Sequence, residues 1–449
     1  MSDMWYAKPG TIYWYDQYVP DYYAEGFSEY DPERVLKELL MVDADAYAIY
    51  ARNQWGVNYY NSKIEEKHPG LGDHDYLGEL TEGLKSKGKK VIAYVNWLDS
   101  KHPEWRVKPL GSGELRVQEK VLGGQWYNHC INSPKKELIK GIIEEIVENY
   151  PIDGLHLDMF FHPGVCVCKY CREHFPSIFG KEDITWADVR KKWRQYIDWK
   201  KGTSTEFLRQ IKQILSRKGI PAFHNAFVPI FFPPLHGPNL GWMQYIDAHI
   251  SEAWFRIDQT TADINSTSIV VKMHRALGKP SWVLVTQDNP RLWHNPLAKE
   301  EFLIHAASCS ANGGGFFGPC GVGAYPDSRT SKRGLATVAE VFRYYRRLRE
   351  YMEDVEPVRH VAIAYSFNTR DYYEREDPKR YRYEFLGLCR AFMESHIPFN
   401  LIIPELIKDE TELKDYDLIV LPNLACTSRE FDSIISNSVS YTHLTLPTN

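Results

Sequence analysis

Several features that mark broad classes of protein are missing from this sequence of 449 residues. No apolar run reaches the length of about 18 residues that suggests a membrane-spanning helix, so we expect no membrane partner. The net charge of −5 at pH 7 offers no basic surface, so we do not expect nucleic acid as a partner. No basic stretch followed by an apolar core opens the chain, and we expect a cytoplasmic protein.

The signatures of several enzyme classes are absent too. No Gly-x-Gly-x-x-Gly motif follows the first predicted strand, which argues against a dinucleotide-binding fold. Gly313-Gly314-Gly315 lacks the lysine of a phosphate-binding loop, and we predict a turn with close backbone approach instead. The sequence has no serine nucleophile elbow, no His-Glu-x-x-His motif and no set of kinase motifs.

The composition is that of a globular protein with a large core, since 43% of the residues are hydrophobic and 25% are charged. Aromatic residues reach 14%, including 13 tryptophans and 29 tyrosines. Most of them will pack in the core. Carbohydrate sites use such residues as well, because the C–H faces of a sugar stack on aromatic rings, so the excess is compatible with a carbohydrate-binding protein.

Short apolar runs alternate with helical patterns along most of the chain. Eight such alternations predict an α/β fold, a (β/α)₈ TIM barrel with a closing helix at residues 335–351. A doubly wound open sheet would give a similar alternation, but the missing dinucleotide motif argues against it. The predicted strands are residues 11–15, 46–51, 90–97, 152–158, 220–225, 245–252, 280–287 and 314–317.

The alternation of strand and helix restarts after Pro357. Strands are predicted at residues 358–365, 399–403 and 418–421, with a helix at 383–395, which is the pattern of a partial doubly wound, flavodoxin-like domain. We therefore divide the chain into a catalytic barrel (1–355) and a partial second domain (356–437). Residues 438–449 do not continue the pattern, and we expect them to be a foreign tail.

Two acidic residues stand at the C-terminal ends of predicted strands, the catalytic end of a (β/α)₈ barrel. Asp158 ends the fourth strand and Glu252 the sixth. Two carboxyl groups facing one pocket suit glycoside hydrolysis, in which one attacks or stabilises the anomeric carbon and the other protonates the leaving oxygen. Aromatic neighbours would raise the pKa of Glu252, as a general acid requires. The alternatives are a helix cap for Asp158 and a surface ion pair with Arg256 for Glu252.

Polar and aromatic side chains that could hold a sugar stand near the ends of the same strands. Each one alone is weak evidence, because a single histidine or tryptophan more often packs in the core, and their shared position is the stronger argument. The predicted substrate-binding residues are Asn53, Trp55, Trp97, His129, His156, His224, Asn225 and Trp254. The expected partner is an oligosaccharide or another glycoside.

A Cys-x-Cys-x-x-Cys motif follows the fourth predicted strand. Its members are Cys166, Cys168 and Cys171. With Cys130 they offer four sulfur atoms, enough for a closed structural zinc site that takes no part in catalysis. His162 or His174 could replace Cys130, and reduced thiols without a metal are the alternative. We expect no catalytic cofactor, and the clustering favours a reducing compartment over a disulfide scaffold.

Four segments together resemble a group of hypothetical glycosyl hydrolases in which a barrel precedes a β-galactosidase-type trimerisation domain. They are residues 49–71 (I-Y-A-R-N-Q-W-G-V-N-Y-Y-N-S-K-I-E-E-K-H-P-G-L), 129–134 (H-C-I-N-S-P), 153–161 (D-G-L-H-L-D-M-F-F) and 166–175 (C-V-C-K-Y-C-R-E-H-F). The group includes glycoside hydrolase family 151, which has α-L-fucosidase activity and is related to the larger family 29. The cysteine loop is similar to the zinc-binding loop of family 42 β-galactosidases.

The resemblance implies a retaining α-L-fucosidase. Asp158 falls where the family 29 nucleophile follows the fourth strand, and Glu252 would be the acid/base. An upstream cysteine completes the zinc site of family 42, which favours Cys130, and the second domain implies a homotrimer for the complete protein. Family 29 has a His-His-Asp-type segment where this sequence has residues 52–55 (R-N-Q-W), so the fucose contacts must differ there.

Other functions remain open at this point. A β-galactosidase-like or α-galactosidase-like enzyme, a catalytically silent carbohydrate-binding barrel and a zinc-dependent hydrolase are the alternatives. The distance between the two carboxyl groups, which separates retention from inversion, is not given by the residues.

Overall fold

The structure is a computed structural model that describes residues 4–111, 116–118, 125–225, 234–236, 238–253, 265–289, 292–323 and 326–438. Eight parallel strands pair in chain order, and the eighth pairs with the first, so the predicted (β/α)₈ barrel is confirmed. The strands are β1 (Gly10–Gln17), β2 (Ala46–Arg52), β3 (Lys90–Asn96), β4 (Gly154–Asp158), β5 (Ala222–Asn225), β6 (Ala248–Glu252), β7 (Ser281–Thr286) and β8 (Phe316–Gly323).

Helices cover the outside of the barrel and pack on the outward side chains of the strands. The first helix begins at Pro32 because the Asp31 carboxylate accepts hydrogen bonds from the backbone N–H groups of Glu33 and Arg34. The barrel helices are α1 (Pro32–Val42), α2 (Tyr76–Ser86), α3 (Lys135–Asn149), α4 (Trp193–Ser216), α5 (Ser266–Ala276), α6 (Lys299–Ala311) and α7 (Lys332–Arg347). No helix within the described ranges is long and apolar enough to cross a lipid bilayer.

Shorter elements decorate the loops at the ends of the strands. Three short helices lie between β4 and α4, namely Lys169–Arg172, Phe175–Phe179 and Trp186–Lys191. Two small antiparallel pairs join Arg116–Gln118 to Gln125–Tyr127 and Asp288–Asn289 to Leu292–Pro296.

The eighth strand begins later and runs further than residues 314–317. Gly313 has a φ of +70°, and a Cβ on Gly315 would come within 2.8 Å of the Ser281 carbonyl oxygen. The glycines therefore form the predicted close turn, and the strand starts only after them. It extends to Gly323 because residues 320–323 continue to pair with β1.

Side chains that alternate along each strand fill the barrel in layers. Trp14 points inward from β1 and donates through Nε1 to Nδ1 of His156 on β4, at 3.3 Å. Since residues two apart on a strand share a face, Asp16 and Asp158 lie in the next layer, at the C-terminal end of the barrel. We call this end the mouth and the opposite end the floor.

Aromatic rings close the floor. Trp5, which precedes β1, packs against Phe223, Trp282 and Phe316, with ring centroids 6.0, 5.9 and 5.6 Å away. The indole Nε1 of Trp282 donates to the Tyr6 carbonyl at 3.0 Å. The N-terminal segment therefore fills the lower end of the barrel.

An aspartate precedes each of β2, β4 and β6 and holds the strand before it. The carboxylates of Asp45, Asp153 and Asp247 accept hydrogen bonds from the backbone N–H groups of Thr11, Val91 and Ala222, at 2.8, 3.0 and 2.7 Å. Their basic partners are, in the same order, Arg349, the pair Lys85 and Lys90, and Lys212. We call these three acids the floor aspartates.

A second α/β unit follows the barrel. Three parallel strands form a sheet in which the first strand is central, as predicted for a doubly wound domain. Its elements are β9 (Val361–Ala364), α8 (Lys379–Glu394), β10 (Phe399–Ile402), β11 (Leu418–Val420) and α9 (Arg429–Ser438). It touches the barrel where Lys272 on α5 donates to the Phe399 carbonyl at 2.7 Å. Residues 439–449, most of the expected foreign tail, lie outside the described residues.

Candidate active site

Asp158 ends β4 and is held by a tyrosine from the neighbouring strand. The Tyr94 hydroxyl donates to Oδ2 of Asp158 at 2.5 Å, and Asn96 Nδ2 donates to that hydroxyl at 2.8 Å. Burial raises the pKa of Asp158, and the hydrogen bond from Tyr94 acts against this rise because it stabilises the carboxylate. Oδ1 has no hydrogen-bond partner among the described residues, so this oxygen is available to a ligand.

His156 lies one layer below Asp158 and faces its free oxygen. Nδ1 of the ring accepts the hydrogen bond from Trp14, so in the neutral ring Nε2 carries the hydrogen. Burial holds the pKa of His156 well below its usual range, which keeps the ring neutral. Nε2 is 3.9 Å from Oδ1 of Asp158. The structure therefore brings this predicted residue directly beneath the carboxyl group.

Glu252 ends β6, and an asparagine on the intervening strand β5 connects it to Asp158. Asn225 Nδ2 donates to Oε1 of Glu252 at 2.8 Å. Asn225 also lies beside Asp158 and lowers the pKa of that acid. One side chain thus contacts both predicted catalytic acids. Trp254, the predicted aromatic neighbour of Glu252, lies outside the described residues.

Two acids that the sequence analysis did not single out also lie at the mouth. The Tyr18 hydroxyl donates to Oδ2 of Asp16 at 3.3 Å, and burial together with the charge of Asp158 raises the pKa of Asp16 to about 8. Burial raises the pKa of Asp288 to about 6, and neither oxygen has a hydrogen-bond partner within the described ranges. An acid directly after a predicted strand was the signal for both, since Asp16 follows residues 11–15 and Asp288 follows 280–287.

Basic side chains do not balance these acids. Within the described part of the chain, no lysine or arginine forms an ion pair with Asp16, Asp158 or Asp288. The thiol of Cys320 on β8 is buried among Asp16, Glu252 and Asp288, and both burial and these charges raise its pKa. We call Asp16, Asp158, Glu252 and Asp288 the mouth acids.

His224 points away from the mouth, although it neighbours Asn225. Its ring packs against Trp242, with centroids 5.2 Å apart, and Nδ1 donates to the Leu157 carbonyl at 2.6 Å. Burial lowers the pKa of His224 to about 4. This predicted sugar-binding residue is therefore packed between the sheet and the surrounding elements.

Asn53 and Trp55 fold the loop after β2. Asn53 Nδ2 donates to the Val19 carbonyl at 2.8 Å, and its Oδ1 accepts from the backbone N–H groups of Trp55 and Val57, both at 3.0 Å. The Trp55 ring is fully buried and packs edge-on against Trp126. The amide of Asn53 therefore makes its hydrogen bonds inside the protein.

Trp97 and His129 are likewise held by internal contacts. The Trp97 ring packs against Phe160 and Phe207, with centroids 5.0 and 5.3 Å away. The two ring nitrogens of His129 lie 3.1 and 3.0 Å from backbone carbonyl oxygens. Trp97 contacts Asp158 through the backbone, where its N–H donates to the Asp158 carbonyl oxygen at 2.9 Å. Among the described residues, the contacts given for the Trp97 ring and the His129 ring do not include the carboxyl group of a mouth acid.

The four predicted zinc ligands come together. The Sγ atoms of Cys130, Cys166, Cys168 and Cys171 are buried and lie within 4.8 Å of one another. Sulfur atoms bound to one zinc ion at about 2.3 Å lie about 3.8 Å apart in a tetrahedron, so the group has the size of a metal site. It contains neither His162 nor His174.

Lys200 on α4 lies beside this cysteine cluster. Its ammonium group is buried and donates to the carbonyl oxygens of His162 and Gly164, the latter at 2.8 Å. A positive charge at this position would stabilise ionised sulfur atoms of Cys130, Cys166 and Cys171. Lys200 therefore offsets negative charge in the cluster and fastens the loop that leads to it from β4.

Glu65, Asp99 and His102 form a second group of possible metal ligands, and ion pairs explain it. Arg52 donates to Glu65 and to Asp99, both at 2.8 Å, and Lys135 also pairs with Asp99. These cations hold the pKa of Asp99 well below its usual range. The group is a buried salt-bridge network, since its charges are already balanced.

Comparisons with known proteins point to glycosyl hydrolases. Residues 31–159 match the family described as "Hypothetical glycosyl hydrolase 6", a range that includes Asp158. β-Galactosidase Pbg of Clostridium perfringens is 24% identical over 293 residues, which are 60% of this chain and 39% of that protein. Glycosyl hydrolase YngK of Bacillus subtilis is 25% identical over 195 residues, 38% of this chain and 32% of that protein. The chain thus spans less than half the length of these curated relatives.

A solved structure supports the fold. α-L-Fucosidase isoenzyme 2 from Paenibacillus thiaminolyticus superposes with a TM-score of 0.77 and 15% identity, over 96% of this chain and 62% of that one. At such low identity the likeness establishes a common fold. The resemblance to glycosyl hydrolases that the sequence segments suggested is confirmed by these matches.

Proposed function

We propose that this protein is a retaining glycoside hydrolase that removes terminal sugars from oligosaccharides. The observation that carries the proposal is the pair Asp158 and Glu252, which end different strands at the catalytic end of the barrel and share contacts with Asn225. The family match and the two relatives support the same class.

Asp158 is the proposed nucleophile. Its carboxylate attacks the anomeric carbon, the bond from that carbon to the leaving oxygen breaks, and this oxygen takes the proton of Glu252. In the second step Glu252 removes a proton from water, whose oxygen attacks the anomeric carbon and releases Asp158. The shared asparagine favours the separation of about 5–5.5 Å that is typical of retaining enzymes.

Neighbouring residues prepare Asp158 for this role. The nucleophile must be ionised, and the hydrogen bond from Tyr94 stabilises its carboxylate form despite burial. His156 is fixed by Trp14 and limits where Oδ1 can move. With one oxygen held by Tyr94, the other remains free to form the bond to carbon.

The proposed substrate is an α-L-fucoside. The segments that resemble family 151 support this choice, as does the fold shared with the fucosidase of Paenibacillus thiaminolyticus. A β-galactoside is the second candidate, because the curated relative from Clostridium perfringens is a β-galactosidase.

The test is hydrolysis of aryl α-L-fucoside, β-D-galactoside and α-L-arabinoside by the wild type and by Asp158→Ala. We expect turnover of the fucoside, loss of that turnover in the variant, and partial rescue by azide with formation of β-fucosyl azide. Asp153→Asn, at the other end of the same strand, is the matched control and should keep its activity. Turnover of the galactoside alone would replace the proposed substrate.

Two further outcomes would change the proposal itself. Sugar binding without turnover by the wild type, unchanged in Asp158→Asn, would indicate a carbohydrate-binding barrel. Activity that a chelator removes and zinc restores, in a protein that stays folded, would indicate a zinc-dependent hydrolase.

For the cysteine cluster we propose a structural zinc ion. Bound zinc would lock the loop after β4, and it takes no part in the reaction. Atomic absorption is expected to find about one zinc per chain. Cys168→Ser should lose the metal and melt at a lower temperature, whereas Cys389→Ser, at a buried thiol outside the cluster, should keep it. Full zinc retention in Cys168→Ser would contradict the assignment.

The domain division, the oligomeric state and the cellular location are also proposals. We place the catalytic barrel at residues 1–355, a partial trimerisation domain at 356–437 and a foreign tail at 438–449, and we expect a homotrimer by light scattering of the complete protein. A cytoplasmic location is supported by the eight free cysteines.

A further inference from the structure

Asp16 occupies the same layer of the barrel as the proposed nucleophile. On β1 the inward positions are Ile12, Trp14 and Asp16, and on β4 they include His156 and Asp158. Because Trp14 and His156 touch across the barrel, the two acids above them face the same opening. β1 and β4 are separated by β2 and β3, so the two carboxyl groups approach the opening from different sides.

The surroundings of Asp16 contain polar groups but no described cation. Asp16 is buried, with 6% of the residue exposed. No lysine or arginine in the described ranges forms an ion pair with it. The titratable groups that face it from the adjoining elements are Tyr18, Tyr50, Tyr94, Asp158 and Cys320. Nothing among these groups requires a charged carboxylate at this position.

We propose that Asp16 is a specificity-determining residue whose carboxyl group binds a hydroxyl group of the sugar held over Asp158. This inference rests on the proposed glycosidase function and adds a contact that the catalytic pair does not supply. The ligand class is a sugar with a free hydroxyl group directed toward β1. The proposal needs no cofactor and no covalent step.

The protonation state of Asp16 fits this role. Burial and the neighbouring charge of Asp158 raise the pKa of Asp16 to about 8, so near neutral pH the group keeps its proton. A neutral carboxyl group both donates and accepts a hydrogen bond, and a hydroxyl group does the same. Asp16 therefore binds the sugar without adding a second negative charge beside the nucleophile.

Monodeoxy substrates provide the test. The measured quantity is kcat/KM for 4-nitrophenyl α-L-fucoside and its 2-, 3- and 4-deoxy analogues, with wild type and Asp16→Ala. We expect kcat/KM of the variant for the parent compound to be roughly ten- to hundredfold lower than that of the wild type. This is the effect of losing one hydrogen bond to a buried polar group. On one deoxy analogue the wild type and the variant should be equal, because the hydroxyl group that Asp16 contacts is already missing.

Two other variants separate binding from structural support. Asp153→Ala removes a floor aspartate and should affect all four compounds by the same factor. Asp16→Asn keeps a neutral donor and acceptor, so it should retain most of the affinity for L-fucose at pH 7. At pH 9 it should bind L-fucose more tightly than the wild type, whose Asp16 is then ionised. A uniform loss of kcat/KM on every compound in Asp16→Ala would overturn the proposal.

Failure of the proposed function gives a different result. If the wild type hydrolyses none of the compounds, calorimetry with L-fucose, D-galactose and L-arabinose takes over as the readout. Sugar binding that is weaker in Asp16→Ala than in the wild type would support the binding role of Asp16 and reject the proposed hydrolase function. Absence of binding to any of the three sugars would reject both.

Discussion

The two ends of the barrel treat their acidic residues in opposite ways. At the floor, Asp45, Asp153 and Asp247 each accept a backbone hydrogen bond and each pair with a lysine or an arginine. At the mouth, Asp16 and Asp288 are buried with no such partner among the described residues, and burial raises the pKa values of both. The same residue type is therefore paired with a cation at one end and, in the described part of the chain, lacks one at the other.

This difference bears on the stability of the two ends of the barrel. A buried carboxyl group without a cation or a sufficient set of donors lowers the free energy of unfolding relative to a paired one. Such strain persists where a ligand later supplies the missing partners. The floor aspartates bind strand to strand, whereas Oδ1 of Asp158 and both carboxyl oxygens of Asp288 have no hydrogen-bond partner among the described residues.

The comparison is tested most strongly by changing one acid at each end of β4. Asp158→Asn is expected to lower kcat by roughly 10⁴-fold or more, because the proposed nucleophile is lost while the shape is kept. Asp153→Asn should retain kcat within about twofold, since the floor of the barrel lies far from the reacting atoms. Steady-state kinetics with a thermal melt of each variant measure both. Comparable losses of kcat would mean that the two ends do not differ in function.

Glu252→Gln tests whether Glu252 is the general acid at the mouth. We expect kcat to fall by about 10²–10⁴-fold for a substrate whose leaving oxygen needs a proton. A 2,4-dinitrophenyl glycoside, whose leaving group departs without one, should lose much less in the first step. An equal loss on both substrates would remove Glu252 from the role of general acid.

At the floor the expected effect is on stability. Asp153→Ala leaves the Val91 N–H group and the ammonium groups of Lys85 and Lys90 without their partner. We expect the free energy of unfolding to fall by about 1–2 kcal/mol, as the two lysines are partly exposed. Asp183→Ala, which breaks an exposed ion pair with Arg172, is the control and should cost less than about 0.5 kcal/mol. Denaturant unfolding measures both variants, and equal costs would argue against a special role of the floor.

The smallest effect is the pH dependence of stability that Asp288 produces. Its pKa rises from 3.8 to about 6 on folding, so between these values the folded protein binds more protons than the unfolded chain. Stability therefore falls as the pH rises through this window and is lowest above it. Asp288→Asn should remove this part of the fall, so its free energy of unfolding should exceed that of the wild type at pH 7 and approach it below pH 4, roughly the ordinary pKa of an aspartate. Parallel curves of stability against pH for the two proteins would contradict the raised pKa.

Much of the architecture was predictable because it depends on short patterns. The eight apolar runs marked the strands, and the strand ends marked Asp158 and Glu252. Asp16 and Asp288 carried the same signal and were missed, because each stands one residue beyond a predicted strand. Strand limits depend on pairing with the neighbouring strand, and a single sequence does not contain that information.

The polar residues of the loops were less predictable. Asn53 follows β2 and His129 lies in the loop before α3, but their hydrogen-bonding groups contact backbone atoms. His224 and Asn225 are adjacent, and the alternation of a strand sends only one of them to the mouth. The clustering of the cysteines was predictable, because the Cys-x-Cys-x-x-Cys motif already brings three sulfur atoms close together and Cys130 adds the fourth.

The floor aspartates also divide the barrel into modules. They connect β1 to β2, β3 to β4 and β5 to β6, while Gly315 stands in the corresponding position before β8. Each connected pair is a two-strand module joined by one hydrogen bond from a backbone N–H group to a floor aspartate. The two residues of this bond are 34, 62 and 25 positions apart in the three modules. A chain divided between β2 and β3 keeps these three backbone hydrogen bonds within its fragments, although it separates Asp45 from Arg349. Division between β3 and β4 splits the hydrogen bond from Val91 to Asp153. We expect fragments of the first kind to reassemble more readily when mixed, as measured by recovery of circular dichroism.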